Sequence, residues 1–274
     1  MHAGLASTDD FAESGRRMSG IEIIGLAGAA AAAGAINAVA GGGTLLTFPA
    51  LLYFGTPGIV ANATSTLALV IGTTGSIFGF RGQLGAVRPW LGRFVPVSLL
   101  GGALGSVLLT QTSERTFEAL VPWLILFATL LFLAQGAFRR FAGFEESGEA
   151  HPHSPAVWAA IVFQFGVSVY GGYFGAGIGI LMLASLGFLG LRDIHEMNAL
   201  KNALGSLINL IAAAIFVGCG LVDWSRAGVM TAGALVGYFL GAHFSQRIPQ
   251  RHVRRIITGI GLAISLAMFW QRLR

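Results

Sequence analysis

Long apolar runs separated by short polar stretches make up most of the chain. Two of these runs, at about residues 21–54 and 156–189, exceed the roughly 20 residues that an α-helix needs to cross a bilayer. Glycines interrupt each run near its middle, in Gly41-Gly42-Gly43 and in Gly175-Ala176-Gly177. Because closely spaced glycines disfavour a continuous helix, the pattern predicts two broken segments, each made of two helical pieces.

Three further apolar stretches follow each broken segment, and each is long enough to span a bilayer. They cover about residues 61–80, 91–110 and 117–138 in the first half, and 197–217, 227–245 and 253–270 in the second. We therefore predict an all-α polytopic membrane protein with two inverted-topology repeats, each a glycine-broken helical hairpin plus three transmembrane helices. The predicted organisation is a mobile N-terminal tail (1–20), repeat 1 (21–138), a linker (139–155) and repeat 2 (156–274).

The duplication is visible in the spacing of individual residues. Gly41 and Gly43 recur 134 positions later as Gly175 and Gly177. After a two-residue insertion the offset becomes 136, and Asn62-Ala63 then aligns with Asn198-Ala199. A repeat that holds its register over most of both halves indicates duplicated structure and not only similar composition.

The arginines between the apolar stretches indicate how the halves are oriented. If each broken segment returns to its starting side, ten of the twelve arginines in internal loops share one side and only Arg115 and Arg226 face the other. If each segment crosses once, the same arginines divide six to six. Because cytoplasmic loops carry an excess of positive charge, the first arrangement is favoured. It inverts the halves and places both termini outside.

Composition agrees with a membrane protein and argues against other classes. Hydrophobic residues make up 54% of the chain, charged residues 11%, and the mean hydropathy is +0.73. The arginines are scattered singly or in pairs between apolar segments, which argues against nucleic-acid binding. Cys219 is the only cysteine and no Cys/His grouping has ligand spacing, so we expect no metal and no cofactor. No nucleophile and base motif occurs in the spans, so we expect neither catalytic residues nor an enzyme.

The two glycine breaks are the candidate substrate site. A helix that restarts inside the protein presents free backbone N–H groups and the positive end of its dipole, which suits a small anion. Polar residues follow each break, and those of the second half fall on one helical stripe. The candidate substrate-binding residues are Asn37, Gly41, Gly42, Gly43, Thr44, Asn62, Ser65, Thr66, Gly175, Ala176, Gly177, Asn198, Lys201, Asn202 and Asn209. The alternative is that the glycines only allow close helix packing.

Lys201 is the only lysine in the chain and falls within a predicted span. A lysine at bilayer depth costs roughly 2.5 to 3.5 kcal/mol on insertion scales, so it needs a partner, which the substrate would supply. The alternative is that its side chain extends to the nearby membrane surface. The sequence leaves both interpretations open.

The glycine motifs also resemble a known family. The segment Ala35-Ile-Asn-Ala-Val-Ala-Gly-Gly-Gly-Thr-Leu-Leu-Thr-Phe-Pro-Ala-Leu51, with Asn62-Ala63 and the second-half Asn198-Ala-Leu-Lys-Asn202, is similar to the TauE/SafE sulfite exporters. The resemblance covers about residues 20–272. It implies a secondary carrier in the bacterial cytoplasmic membrane that exports sulfite or small organosulfonates. Ala176 departs from the full glycine triplet, which affects how symmetric the two half-sites are.

Several properties stay open at the level of sequence. A channel, or a transporter for another small anion, fits the same features, and an intramembrane enzyme or a scaffold fits them less well. The expected partners are the small anionic substrate and the lipid bilayer, and a homo-oligomer is left open. No ATP-binding loop of the form Gly-x4-Gly-Lys-Ser/Thr is present, so direct ATP drive would need another chain.

Overall fold

The structure, a computed structural model, describes residues 18–39, 42–79, 85–141, 155–187, 194–244 and 250–273. These residues form ten α-helices and no strand, as expected for an all-α chain. The helices are α1 (Gly20–Val39), α2 (Thr44–Tyr53), α3 (Gly58–Gly79), α4 (Arg88–Gln111), α5 (Glu114–Phe141), α6 (Pro155–Tyr173), α7 (Ile178–Gly187), α8 (Ile194–Gly218), α9 (Trp224–Phe244) and α10 (Gln250–Leu273). Most of the predicted tail and linker, residues 1–17 and 142–154, lies outside the described ranges.

Both predicted broken segments are broken where the glycines fall. In the first, α1 ends at Val39 and α2 begins at Thr44; in the second, α6 ends at Tyr173 and α7 begins at Ile178. The pieces after the breaks, α2 and α7, have 10 residues each. At 1.5 Å per residue they are about 15 Å long, half of what a span needs.

The short helix α2 runs back along α1. At the break, a Cβ placed on Gly43 would lie 2.7 Å from the carbonyl oxygen of Ala33. At the far end of α2, a Cβ on Gly25 would lie 2.6 Å from the ring of Phe54. Contact near both ends makes α1 and α2 a hairpin whose open end is at the start of α1.

In the second broken segment, the long and the short helix share one buried apolar cluster. Val157 and Ala160, near the start of α6, belong to it together with Ile178, Met182 and Leu186 of α7. Each half thus contributes one long helix and one short helix that pack together.

Rows of small residues bring helices from different halves into close contact. On α9, Gly233, Gly237 and Gly241 pack against the backbone of α1 at Ala27, Ala31 and Ala35. On α4, Gly101 and Gly105 pack in the same way against α6, where Gly172 contacts Gly102. Small residues four apart let helix backbones approach closely, and such packing is a main source of helix association in membranes.

Equivalent helices of the two halves have equivalent packing partners. By the sequence offset, α1 to α5 align with α6 to α10. The pair α1/α9 then corresponds to α6/α4, the pair α3/α9 to α8/α4, and the pair α2/α10 to α7/α5, and all of these pairs are in contact. Two further contacts, α3/α8 and α5/α10, join equivalent helices to each other. The repeat that the spacing predicted is therefore also a repeat of tertiary contacts.

One end of the molecule carries a network of polar contacts around Arg226. Its guanidinium forms an ion pair with Glu22 at 2.7 Å and donates hydrogen bonds to the Thr56 hydroxyl at 2.9 Å and the Phe54 carbonyl at 3.2 Å. Asp223 accepts a bond from the Arg226 N–H at 3.0 Å and so caps α9. A single side chain thus ties the start of α9 to both ends of the first hairpin.

A second carboxylate acts at the same end. Glu114, in the first turn of α5, accepts the backbone N–H groups of Gly58 and Ile59 at the start of α3. The first N–H groups of a helix have no partner within it, so the carboxylate satisfies them and complements the helix dipole. The contact places the starts of α3 and α5 side by side.

Four helices of the described chain are long and apolar enough to cross a membrane by themselves. These spans are Gly20–Asn37, Arg88–Gln111, Glu114–Ala134 and Glu196–Gly218. Shorter apolar helices occupy Thr44–Tyr53, Gly58–Thr73, Val157–Tyr173 and Ile257–Trp270. Large apolar side chains such as Leu133, Val162 and Phe239 are exposed on the outer surface, where lipid accommodates them. The chain is a multi-pass membrane protein.

We expect Arg226→Gln to lower the free energy of unfolding by about 2 kcal/mol or more, because hydrogen bonds to charged groups are worth roughly 1.5 to 3 kcal/mol and Glu22 would lose its counterion. The measurement is thermal or chemical denaturation of the purified protein in detergent. Arg115→Gln is the control, since Arg115 is exposed in the first turn of α5, and it should change stability by less than about 0.5 kcal/mol. Equal losses in the two variants would refute a structural role for the Arg226 network.

Candidate functional site

The first break is fastened by a side chain from the helix that precedes it. The Gly43 N–H donates to Asn37 Oδ1 at 2.7 Å, and Asn37 Nδ2 donates to the Tyr238 hydroxyl oxygen at 2.9 Å. Gly42 has φ +93°, a conformation that favours glycine. The Asn37 amide therefore both closes the turn and joins it to α9. Gly41 lies outside the described residues.

Three further backbone N–H groups at the start of α2 donate to carbonyls of the turn itself. Leu45 N–H donates to the Gly42 carbonyl at 3.0 Å, and Leu46 and Thr47 N–H donate to the Gly43 carbonyl at 2.9 and 3.1 Å. Thr44, the first residue of α2, is partly buried. The Thr47 hydroxyl lies 2.6 Å from the Ser65 hydroxyl of α3, and both residues are fully buried. The first break is thus a closed turn, and the Thr47 hydroxyl beside it is paired.

The second break is fastened by a tyrosine. The Tyr170 hydroxyl donates to the Ala176 carbonyl at 2.8 Å, across the turn. Gly175 and Gly177 have φ +81° and +79°, so both glycines are needed for the backbone path. Asn62, from the first half, donates from Nδ2 to the Tyr173 carbonyl at 3.0 Å. Here the partners of the side chains are backbone carbonyls, whereas at the first break Asn37 binds an N–H.

The two breaks lie at the same level of the fold. A Cβ on Gly42 would overlap the ring of Phe132, and a Cβ on Gly177 would lie 3.8 Å from Ala128. Ala128 and Phe132 are four residues apart on α5 and therefore neighbours on one face. The Phe48 ring of α2 also packs edge-on against Phe174 of the second break, at 5.4 Å. The structure therefore brings the two predicted half-sites together around one turn of α5.

The polar stripe of α8 runs beside the second break. Lys201 Nζ donates to Asn198 Oδ1 at 3.2 Å. The aliphatic part of the Lys201 side chain lies 3.4 Å from where a Cβ on Gly179 would be, in the first turn of α7. Asn209 Oδ1 lies 3.8 Å from the corresponding Cβ position on Gly175. Lys201 and Asn209 thus flank the turn, one on each side of it.

Two of the predicted site residues, Thr66 and Asn202, are not tied to either break. The Thr66 hydroxyl donates to the Asn62 carbonyl at 2.8 Å within α3, so its hydrogen bond is local. Asn202 is partly buried on α8, next to Lys201. Neither is placed against a break by the contacts of the described chain.

Three residues at the breaks were missed by the sequence reasoning: Phe132, Tyr170 and Tyr238. A signal was available for the tyrosines, since the chain has only four and a buried tyrosine hydroxyl usually has a hydrogen-bond partner. No comparable signal marks Phe132, because phenylalanine is one of the common residues of the apolar spans, with 20 in the chain.

The charges of the described chain are distributed unevenly. Its ion pairs join Arg226 to Glu22 and Asp223, at the end of the molecule. Lys201 instead has a neutral asparagine as its partner. The arrangement therefore offers a cation, the start of α7 and several amides to a ligand, which suits an anion.

Comparison with known proteins agrees with these features. Residues 26–268 match the family described as sulfite exporter TauE/SafE. The chain belongs to this family. The match spans both breaks and all ten described helices in whole or in part, so membership concerns the complete duplicated fold.

Three relatives of the TauE/SafE chain are named as membrane transporters. A probable membrane transporter protein of Haemophilus influenzae is 29% identical over 241 residues, covering 86% of this chain and 90% of the relative. The probable membrane transporter protein ORF9 of Sinorhizobium sp. is 27% identical over 88% of both chains. The probable membrane transporter protein YfcA of Escherichia coli K12 is 26% identical over 86% of this chain and 84% of the relative. No solved structure gives a significant match. The protein is thus a membrane transporter of the TauE/SafE family.

We expect Gly42→Ala to destabilise the protein, because a Cβ in this backbone conformation costs about 1 to 2 kcal/mol and would also overlap Phe132. Adding Phe132→Leu should recover part of the loss, since it relieves the overlap but not the backbone strain. Both effects are measurable as shifts of the denaturation midpoint. Gly28→Ala is the control, because a Cβ there meets nothing within 4 Å. A Gly42→Ala protein as stable as the control would contradict the described turn.

Proposed function

We propose that the protein is a secondary transporter that exports sulfite or a small organosulfonate across the cytoplasmic membrane. In this proposal the anion binds near the midplane, between the two glycine breaks. The single observation that carries the proposal is the placement of Lys201, a cation with a neutral partner, against the first turn of α7. Family membership supports the same substrate class.

The charge of Lys201 is not balanced by its partner in the described chain, because that partner is a neutral amide. A partly buried ammonium within a membrane span needs compensation, and one neutral hydrogen bond to Asn198 replaces only part of the hydration it loses. An anion seated beside it would supply the counter-charge. The start of α7 adds the positive end of a helix dipole on the same side of the ligand. The two contributions point to one small anion.

The described contacts also support an inverted arrangement of the two repeats. Arg226 and Glu114 gather the starts of α1, α3, α5 and α9 at one end of the molecule. The helices α4 and α9 are equivalent in the repeat, yet α4 ends beside the start of α5, whereas α9 starts at this end. We therefore infer that equivalent helices run in opposite directions, as inverted repeats require.

Inversion gives a physical basis for transport. The first hairpin opens toward the end that carries Arg226, and the second opens toward the opposite end. A ligand at the level of the two turns is therefore separated from each face by one hairpin. Movement of either hairpin would expose the ligand to one face at a time, which is alternating access.

The predicted orientation follows from the loop charges. The end that carries Arg115 and Arg226 has the fewer arginines, so the positive-inside rule places it outside the cell and the arginine-rich loops in the cytoplasm. Substrate bound from the cytoplasmic face would then be released outside. The inner membrane of a bacterium is the location that fits this orientation.

The proposal predicts that sulfite binds and stabilises the purified protein. A ligand that binds only the folded state adds RT ln(1 + [L]/Kd), about 2.7 kcal/mol at 100 times Kd. Thermal shifts with sulfite, sulfate, thiosulfate, sulfoacetate and taurine identify the preferred anion. Saturable exchange in liposomes would indicate a carrier, and conductance without saturation a channel. If no sulfur oxyanion or sulfonate shifts the midpoint, the proposed substrate class is wrong.

Within the same assay, Lys201→Met should weaken binding of the preferred anion about tenfold or more, because it removes the charge at similar length. Lys201→Arg should lose less, because it keeps the charge and disturbs only the geometry. The methionine variant should remain folded, since removing a cation whose partner is a neutral amide from a membrane span is not costly. A Kd within about twofold of the parent value would remove Lys201 from the site.

Cysteine labelling tests the inversion. Cys219 is exposed in the loop between α8 and α9, and Ala86 is exposed in the equivalent loop before α4. In intact cells, an impermeant thiol reagent should label Cys219, whereas Ala86→Cys in a Cys219→Ser background should react only after the membrane is permeabilised. Labelling of both positions from the same side would show that the repeats are parallel.

A further inference from the structure

The outer face of α4 is apolar along most of its length, but it begins with a cation. Exposed side chains recur on one stripe of the helix at Pro96, Leu100, Leu104 and Val107. Their spacing of three and four residues is that of a single helix face. Arg93 precedes Pro96 by three residues, so it lies on the same stripe, and it is partly exposed. Arg93 therefore lies on the face that α4 presents to lipid.

Arg93 has no acidic partner among the described residues, whose ion pairs all involve Arg226. Its neighbour is instead an aromatic ring: the guanidinium carbon of Arg93 lies 5.6 Å from the centroid of the Trp90 ring. A guanidinium within about 6 Å of an indole ring is attracted to it, yet it keeps its charge and its N–H donors. The charge of Arg93 is therefore positioned by Trp90 but is not neutralised within the described chain.

The equivalent helix of the second half places its arginine differently. By the offset of 136, Trp90 of α4 corresponds to Arg226 of α9, and Arg93 corresponds to Val229. Arg226 reaches the first hairpin, where it forms the ion pair with Glu22 at 2.7 Å. Of these two equivalent helix starts, α9 thus uses its arginine within the protein, whereas α4 presents an arginine without a carboxylate partner to lipid.

The position of Arg93 along α4 matches the level of phospholipid head groups. The span begins at Arg88, which is exposed, and Arg93 follows five residues later, about 7.5 Å along the axis. Indole rings such as that of Trp90 are enriched at this level of a membrane. From Arg93 to Val107 the stripe continues for about 21 Å, whereas one leaflet contributes about 15 Å of hydrocarbon. The face thus offers cations to a head group and an apolar stripe to its acyl chain.

From these observations we infer that the start of α4 is a binding site for an anionic phospholipid. The Arg93 guanidinium binds the phosphodiester, which suits its planar fork of N–H donors. Arg88 adds charge that favours an anionic head group over a zwitterionic one. Charge also argues for lipid over a second copy of the chain, because two copies related by a twofold axis along the membrane normal would bring their Arg93 side chains to the same depth of one interface. The end is the one that we propose as cytoplasmic, and cytoplasmic leaflets carry anionic lipid.

Lipid binding to the purified protein in neutral detergent tests the inference. Native mass spectrometry counts the lipids bound per chain as phosphatidylglycerol or phosphatidylcholine is added. The parent should bind phosphatidylglycerol more tightly than phosphatidylcholine. Arg93→Gln should weaken phosphatidylglycerol binding about fivefold, the contribution expected of one arginine near a lipid surface. Arg93→Lys should lose less, because it keeps the charge and gives up only the fork of donors. Both variants should bind phosphatidylcholine as the parent does.

Arg115→Gln is the matched control for charge. Arg115 is exposed in the first turn of α5, at the end that carries Arg226, so its loss changes the net charge equally but leaves the start of α4 intact. This variant should bind phosphatidylglycerol within about twofold of the parent affinity. Glycerol 3-phosphate is the control for the acyl chain, because it carries the phosphate without the chains. It should not displace the bound lipid.

A cysteine on the stripe tests the other possible occupant, a second copy of the chain. Leu104→Cys in a Cys219→Ser background should not form cross-linked dimers when membranes are treated with a thiol-specific cross-linker. Efficient cross-linking would assign the stripe to a second copy and overturn the lipid site. The same conclusion would follow from equal affinity for the two lipids, from equal losses in Arg93→Gln and Arg115→Gln, or from displacement by glycerol 3-phosphate. None of these measurements involves the transported anion, so the proposed transport would stand in each case.

Discussion

Backbone groups in the interior of a membrane must find partners within the protein, and this constraint shapes both broken segments. An interrupted helix exposes N–H and C=O groups that lipid cannot satisfy. The fold answers with side chains placed at each turn: Asn37 for an N–H at the first break, Tyr170 and Asn62 for carbonyls at the second. The two turns are thus satisfied through different kinds of backbone group, an N–H at the first and carbonyls at the second.

Close backbone packing accompanies the contacts that each turn makes with the opposite half. The glycine rows of α9 and α4 bring α1 and α6 into contact with helices of the other half. The contact between α1 and α9 places Tyr238 beside Asn37. The helix α3, which packs against α8, carries Asn62, whose amide donates to the Tyr173 carbonyl of α6. Each break thus also has a hydrogen-bond partner from the opposite half.

The polar network around Arg226 differs from the candidate site in charge balance. Arg226 has two carboxylates, a hydroxyl and a carbonyl as partners, so its charge is compensated within the protein. Lys201 has one neutral partner. A compensated cation at the end of the molecule stabilises the fold, whereas a cation with a neutral partner is the one that we propose for binding an anion.

The sequence by itself determined the class of the protein, the repeat and the positions of both breaks, because span length, apolar composition and glycine spacing are local properties of the chain. It also identified most residues near the breaks, including Asn37, Asn62 and Lys201. The tertiary structure alone decided which partner each has, since Tyr238 and Asn37 are 201 residues apart and Asn62 and Tyr173 are 111 apart. It also placed Phe132 on Gly42, a contact that no local pattern encodes. Such pairings depend on how whole helices pack, so the different hydrogen-bond partners of the two turns could not be predicted from motifs that look alike.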